Sequence, residues 1–149
     1  MEAVLEVVAF HLGREVYAVS SEFVEEVCTV KEITHIPCVP EFVVGLIIVR
    51  GHFLTVIDLR KFFNLTGTGI CDLNKVVIIR SEGVEIGILA DGILGVKLIL
   101  NRELQTSLCG LTGFPPEYLC GITPDHTLVL DIRKIILSNR LTVNHHLNE

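Results

Sequence analysis

Residues 43–65 read VVGLIIVRGHFLTVIDLRKFFNL, two apolar runs on either side of Arg50-Gly51-His52. Runs this short, rich in Val and Ile and bounded by turn signals, fit strands with both faces largely covered. Gly51 takes a positive backbone dihedral without steric penalty, so residues 43–49 and 53–57 fold back on one another as a hairpin. The rest of the chain has to be organised around that hairpin, and Arg50 is the one charge left at its end. By itself the run leaves Arg50 either a solvated turn residue or a contact residue.

The 149 residues amount to about one domain, enough for one core or two small fused ones. With half of the residues hydrophobic and a fifth charged, the chain belongs with folded globular domains and not with disordered ones. A net charge of −6, with no basic run and no aromatic stacking platform, argues against nucleic acid as a partner. The apolar runs are too short for a transmembrane helix, and Met1-Glu2-Ala3 lacks the positive start of a signal peptide. A soluble, cytoplasmic chain with no direct membrane insertion is expected.

Five cysteines, Cys28, Cys38, Cys71, Cys109 and Cys120, form no CxxC pair. An odd count without a close pair fits free thiols better than a disulfide framework or a zinc site, and Cys71 and Cys109, in apparent loops, would be the reactive ones.

Taken in order, residues 5–19 are two strand-like runs around Gly13-Arg14, a hairpin with Phe10, Tyr17 and Val19 as core candidates. In residues 20–27, SSEFVEEV, Phe23 and Val27 fall four apart behind a Ser able to cap. This predicts a short helix or helical turn with Glu22, Glu25 and Glu26 outward. Pro37-Cys38-Val39-Pro40 forces a loop. Beyond Asp58 one helical turn is expected, then a loop at residues 66–69 and a second hairpin from 75–80 and 84–89 around Ser81-Glu82-Gly83. Gly95 to Leu100 is a further strand, and residues 101–118 are a long surface loop of the kind usually kept for binding. The chain closes with runs at 118–122 and 127–130 and a helix from 132 capped by Asp131. Residues 139–149 form a flexible polar tail.

A β-run closed by an acidic residue occurs twice, as Leu54-Thr55-Val56-Ile57-Asp58 and as Thr127-Leu128-Val129-Leu130-Asp131, each followed by an apolar turn. Two related β-units sharing one core, each a small barrel, account for the repetition.

Catalytic signals are missing. There is no glycine-rich phosphate loop, GxSxG or HExxH, and no nucleophile stands beside a base, so no catalytic residue, cofactor or metal is assigned. Asp58, Asp91 and Asp131 each end a β-run, where local backbone capping accounts for them. Of the histidines beside apolar runs, His52, next to Arg50, is the one placed to touch a partner. A binding module needs only exposed strand edges and a groove.

Gly45-Leu46-Ile47-Ile48-Val49-Arg50-Gly51, followed by Val56-Ile57-Asp58-Leu59-Arg60, resembles the signature of the CheW-like domain family, roughly G-V-I-N-L-R-G-x-x-x-P-V-V-D-L-R. Val24-Glu25-Glu26-Val27 is similar to its V-x-E-I segment, and Val84 through Asp91-Gly92 to its G-x-x-V-D-x-V stretch. The match runs in order over residues 5–138. It implies a mainly β fold of two packed SH3-like five-stranded β-barrels with short helices, without catalytic activity or cofactor. It also implies an adaptor recruited to receptor arrays at the inner membrane, between the cytoplasmic tips of methyl-accepting chemoreceptors and the regulatory domain of a CheA-type histidine kinase. On that resemblance Arg50 and Glu26, with Val27 and His52 beside them, would contact partners. Gly45 and Gly51 would shape the hairpin, and Asp58 and Asp91 would be structural. Two departures, Ile48 for the family's Asn and Thr55 for its Pro, leave room for a diverged module serving a different receptor–kinase pathway.

Overall fold

The computed structural model describes residues 3–30, 32–63, 75–106 and 115–138. The expected loop at 66–69, the thiols of Cys71 and Cys109, and the tail at 139–149 lie outside them. The strands in chain order are β1 (Val4–Leu12), β2 (Glu15–Ser20), β3 (Val24–Thr29), β4 (Val43–Val49), β5 (His52–Ile57), β6 (Lys75–Ser81), β7 (Val84–Ala90), β8 (Gly92–Leu100), β9 (Leu119–Ile122) and β10 (Thr127–Leu130). Two short helices, α1 (Leu59–Phe62) and α2 (Ile132–Ile136), follow β5 and β10. The expected hairpins stand at β1–β2, β4–β5 and β6–β7.

The strands form two five-stranded mixed sheets, ordered β8-β1-β2-β10-β9 and β3-β6-β7-β5-β4. In each, one parallel pair interrupts an otherwise antiparallel ladder, β2 with β10 and β5 with β7. The unbroken apolar runs have a plain cause. Along β6, Val77 and Ile79 enter the core shared by both sheets, whereas Val76 and Ile78 point the other way into the second sheet's own core. On the first sheet Val7 and Ala9 do likewise, opposite Phe10 and Leu12. Phe10, Tyr17 and Val19 are fully buried. Phe62 and Phe63 extend the shared core from Phe42 to Tyr118, with ring centroids 5.0 and 5.3 Å apart at the two ends.

The expected barrels are not formed, because both sheets are open. Their edges are β8 and β9 in one and β3 and β4 in the other, and the edges do not pair. Among the described residues the chain leaving β3 touches β4 at a single bridge, where Thr34 and Leu46 exchange two hydrogen bonds of 2.8 Å. The chain leaving β8 touches β9 in the same way, through Gln105 and Ile122. Among the described residues one bridge per sheet stands where barrel closure requires a continuous ladder.

The two sheets are versions of one unit. Reading the second as β3, β4, β5, α1, β6, β7 and the first as β8, β9, β10, α2, β1, β2 gives the same spatial order, the same parallel pair and the same Asp-capped helix. The second unit is therefore inserted into the first, between β2 and β8. The repeated β-run with its acidic end is the same piece of both units.

The helix expected over residues 20–27 is reduced to one 3-10 turn, Ser21–Phe23, and Val24–Thr29 is strand. Helical spacing of Phe23 and Val27 is outweighed by a full ladder to β6. The loop expected over 101–118 carries 3-10 turns at Asn101–Glu103 and Pro116–Tyr118 within its described part.

Candidate functional site

The β4–β5 hairpin turns through Arg50 and Gly51, with Val49 and His52 as its last pair. Both turn residues have positive φ, 49° and 82°, the mark of the type I′ turn whose twist suits a two-residue hairpin. Gly51 takes this at no cost, while Arg50 gives up roughly 1 kcal/mol. Its guanidinium offsets that cost through three carboxylates. Nη1 lies 2.7 Å from Glu26 Oε1, and Nη2 donates to Glu25 Oε2 at 3.1 Å and lies 3.9 Å from Glu85 Oε2.

In a regular strand Glu25 and Glu26 would point to opposite faces, and one arginine would not reach both. A bulge between Val24 and Glu26 in the β3–β6 register removes that restriction. Across the cluster Arg80 Nη1 donates to Glu25 Oε1 at 3.0 Å, and His52 Nε2 lies 2.9 Å from Glu85 Oε1. The Glu25 carboxyl is held below its ordinary range by its hydrogen bond with Glu85 first, and then by the Arg80 and Arg50 guanidiniums. Three carboxylates against two guanidiniums make a strongly charged, slightly acidic tip. Arg50 remains 56% exposed at its side chain, so the cluster faces outward.

Arg50, Glu26 and His52 thus come together, whereas Val27 alternates to the other face of β3. Glu26 reaches the tip from a strand and not from a helix face. Glu25, Glu85 and Arg80 were not expected there. The available signal was the 75–89 hairpin, whose turn pairs Arg80 with Glu85 across the ladder. Gly45 has φ 155° at a bulge of β4, directly against Thr34. Asp58, 3% exposed, caps α1 by accepting from Arg60 N at 2.9 Å and pairs with the Arg60 guanidinium at 3.3 Å. Asp131 caps α2 through Lys134 N. Asp91 departs from the expected local cap. Its Oδ2 accepts from Gly13 N at 2.6 Å, and its own N–H donates to His11 O, so it ties the β7–β8 junction to the β1–β2 turn.

A second surface, unexpected from the sequence, lies on β8. Val96 and Leu98 pair with Val8 and Glu6, on the side of β1 that carries Phe10 and Leu12 into the shared core. With Leu94 and Val4 they form an exposed apolar stripe, Leu98 being 70% accessible. The signal was the alternation Leu94, Val96, Leu98. Among the described residues no group of three His, Cys, Asp or Glu side chains is placed to hold a metal ion, and no helix is long and apolar enough to cross a membrane.

The CheW-like domain family matches residues 6–140. The chain is similar to chemotaxis protein CheW of Treponema pallidum, 32% identical over an alignment of 143 residues that covers 91% of this chain and 84% of that protein. Chemotaxis protein CheW of Klebsiella aerogenes is 30% identical, over 93% of this chain and 85% of its own length. Among solved structures the fold is similar to the scaffolding protein TtCheW from Thermoanaerobacter tengcongensis, with a TM-score of 0.78 and 26% identity, covering 94% of this chain and 92% of that one. These likenesses cover both sheets, the hairpin tip included, and it is they, not the want of a catalytic motif, that set the enzyme reading aside. The chain belongs to the CheW-like domain family and is a non-catalytic scaffold of the CheW adaptor type in chemotaxis signalling.

Proposed function

We propose that this adaptor couples the cytoplasmic tips of chemoreceptors to the regulatory domain of a CheA-type histidine kinase, and that it is recruited from the cytoplasm to receptor arrays. The observation that carries the reading is the presence of two separate outward faces on two different sheets, the charged β4–β5 tip and the apolar β8 stripe. A bridge between two partners needs two such faces. Arg50, Glu26 and His52 supply directional charge at the first, while Val27, on the opposite face of β3, offers a separate exposed apolar contact. Gly45, Gly51, Asp58 and Asp91 hold the frame that presents them.

Co-sedimentation with receptor-containing membranes and the kinase, with kinase activity read in the same samples, tests the reading. Wild type enters the complex and activates the kinase. Arg50→Ala loses one partner and Leu98→Asp the other, each with its fold intact. Failure of wild-type protein to enter with either partner rejects the coupling role. A second reading, altered partner choice in a different receptor–kinase pathway, is favoured by Ile48. It stands where the family has Asn and is 68% exposed beside the tip.

A further inference from the structure

The free edges of β3 and β4 face one another across a groove of about 530 Å³, whose lining includes Glu26, Cys28, Glu32, Thr34, Leu46 and Ile48. The register of the hairpin decides what β4 offers to it. Val49 and His52 close a two-residue turn, so residues 49, 47 and 45 bond to β5, and residues 46 and 48 turn their N–H and C=O away from it. Leu46 spends both groups on Thr34. Ile48 presents both to the groove, beneath a largely exposed side chain. Edge strands are normally blunted by a charge or a proline, and Ile48 is neither. Of the charged side chains lining the groove, Glu26 and Arg50 are paired with each other, which leaves exposed Glu32 as the acidic group of the rim not engaged by Arg50.

We infer that this groove is a peptide slot, which takes an extended apolar segment with a basic residue from a partner protein and adds it to β4 as a sixth strand. Backbone pairing at Ile48 supplies the register, Leu46 and Ile48 the apolar contact, and Glu32 the preference for a basic residue. Strand addition would also continue the line that the Thr34–Leu46 bridge begins. The groove adjoins the charged tip and shares Glu26 and Arg50 with it, but the proposal goes beyond the coupling role, since it assigns an extended-peptide ligand and its test needs neither receptor nor kinase.

The probe is a fluorescent heptapeptide of alternating valine and threonine with a lysine at each end, titrated with the full chain and followed by anisotropy. Wild type binds it with a Kd below about 100 μM. An analogue N-methylated at alternate residues, unable to donate along one edge, binds about tenfold or more weakly. Ile48→Pro removes the outward N–H but not a β5 bond, and gives a similar loss with the thermal transition retained. Glu32→Gln weakens binding about threefold and flattens its salt dependence. Should Ile48→Pro fail to fold, the N-methylated probe decides the question on wild-type protein. Equal binding of the N-methylated probe overturns the proposal. So does equal binding of a helix-forming peptide of the same charge, a Kd above 1 mM for the plain probe, or self-association of the chain through this edge.

Discussion

The substitution Gly45→Ala probes the closure of the second sheet most directly. An ideal Cβ at Gly45 overlaps the Thr34 carbonyl oxygen and stands 2.7 Å from Ile33 Cγ2 and 3.0 Å from the Thr34 carbonyl carbon. Two of these three atoms are backbone, so no rotamer change relieves the clash. At φ 155° an alanine also carries backbone strain of about 1–3 kcal/mol. Moving the Thr34 segment outward breaks both bonds of its bridge to Leu46, at roughly 1 kcal/mol each. The sum is a loss of about 3–5 kcal/mol, a large share of a domain's stability. Gly51→Ala is the internal control, since φ is again positive but nothing lies within 4 Å of the added carbon. It should cost only about 1 kcal/mol. Equilibrium unfolding in urea reads both, and Gly45→Ala should lower the midpoint by about 1 M or more. If the two variants fall within about 1 kcal/mol of each other, the Thr34 segment is not held against β4 and the account of the open edge is wrong.

Other outcomes follow from single groups. The lowered pKa of Glu25 means that the tip's contribution to stability is present above the ordinary value of 4.5 and lost as pH falls toward the depressed folded value. Part of that acid sensitivity should vanish in Arg50→Ala, which itself costs about 0.5–1.5 kcal/mol in an urea melt because its ion pairs are exposed. Burial first, and Glu15 next, push the Tyr17 phenol far above its ordinary 10.0. Its contribution is therefore complete below pH 10 and erodes as pH rises further, a loss that Tyr17→Phe should abolish in a pH series of melts. Asp58→Ala removes a cap and leaves the half-buried Arg60 guanidinium without that carboxylate, for a loss of about 2–4 kcal/mol by denaturant unfolding. A loss below about 0.5 kcal/mol would show that α1 does not depend on it.

What could be seen in the chain beforehand was what local chemistry settles. Gly13, Gly51 and Gly83 sit in turns between Val- and Ile-rich runs, and all three hairpins formed there with positive φ at those glycines. The doubled β-run ending in Asp58 and in Asp131 disclosed the repeat, because each aspartate caps its own helix within three residues. Features that depend on distant partners stayed hidden. The bulge that brings Glu25 and Glu26 to Arg50 exists only relative to Ile78 and Ile79 of β6. Without that register, the four-residue spacing of Phe23 and Val27 reads as helix. Asp91 looks like any aspartate before a glycine, yet its partner Gly13 is 78 residues away. Barrel closure turned on how near two edges come, which strand count and order do not determine.

The nesting of one unit within the other sets the sequence of events as the chain leaves the ribosome. β1 and β2 emerge first, but the strands that flank them, β8 and β10, are made only after the inserted unit is complete. That inserted unit is contiguous, so it can pair its five strands as soon as β7 appears. Until then the early hairpin waits with both edges open and with Phe10, Leu12 and Tyr17 uncovered, the kind of surface that invites misassociation. Its first shelter is the freshly folded second sheet, against which those side chains pack. The inserted unit thus offers a template on which the older hairpin can be held until β8, β9 and β10 arrive to complete its sheet.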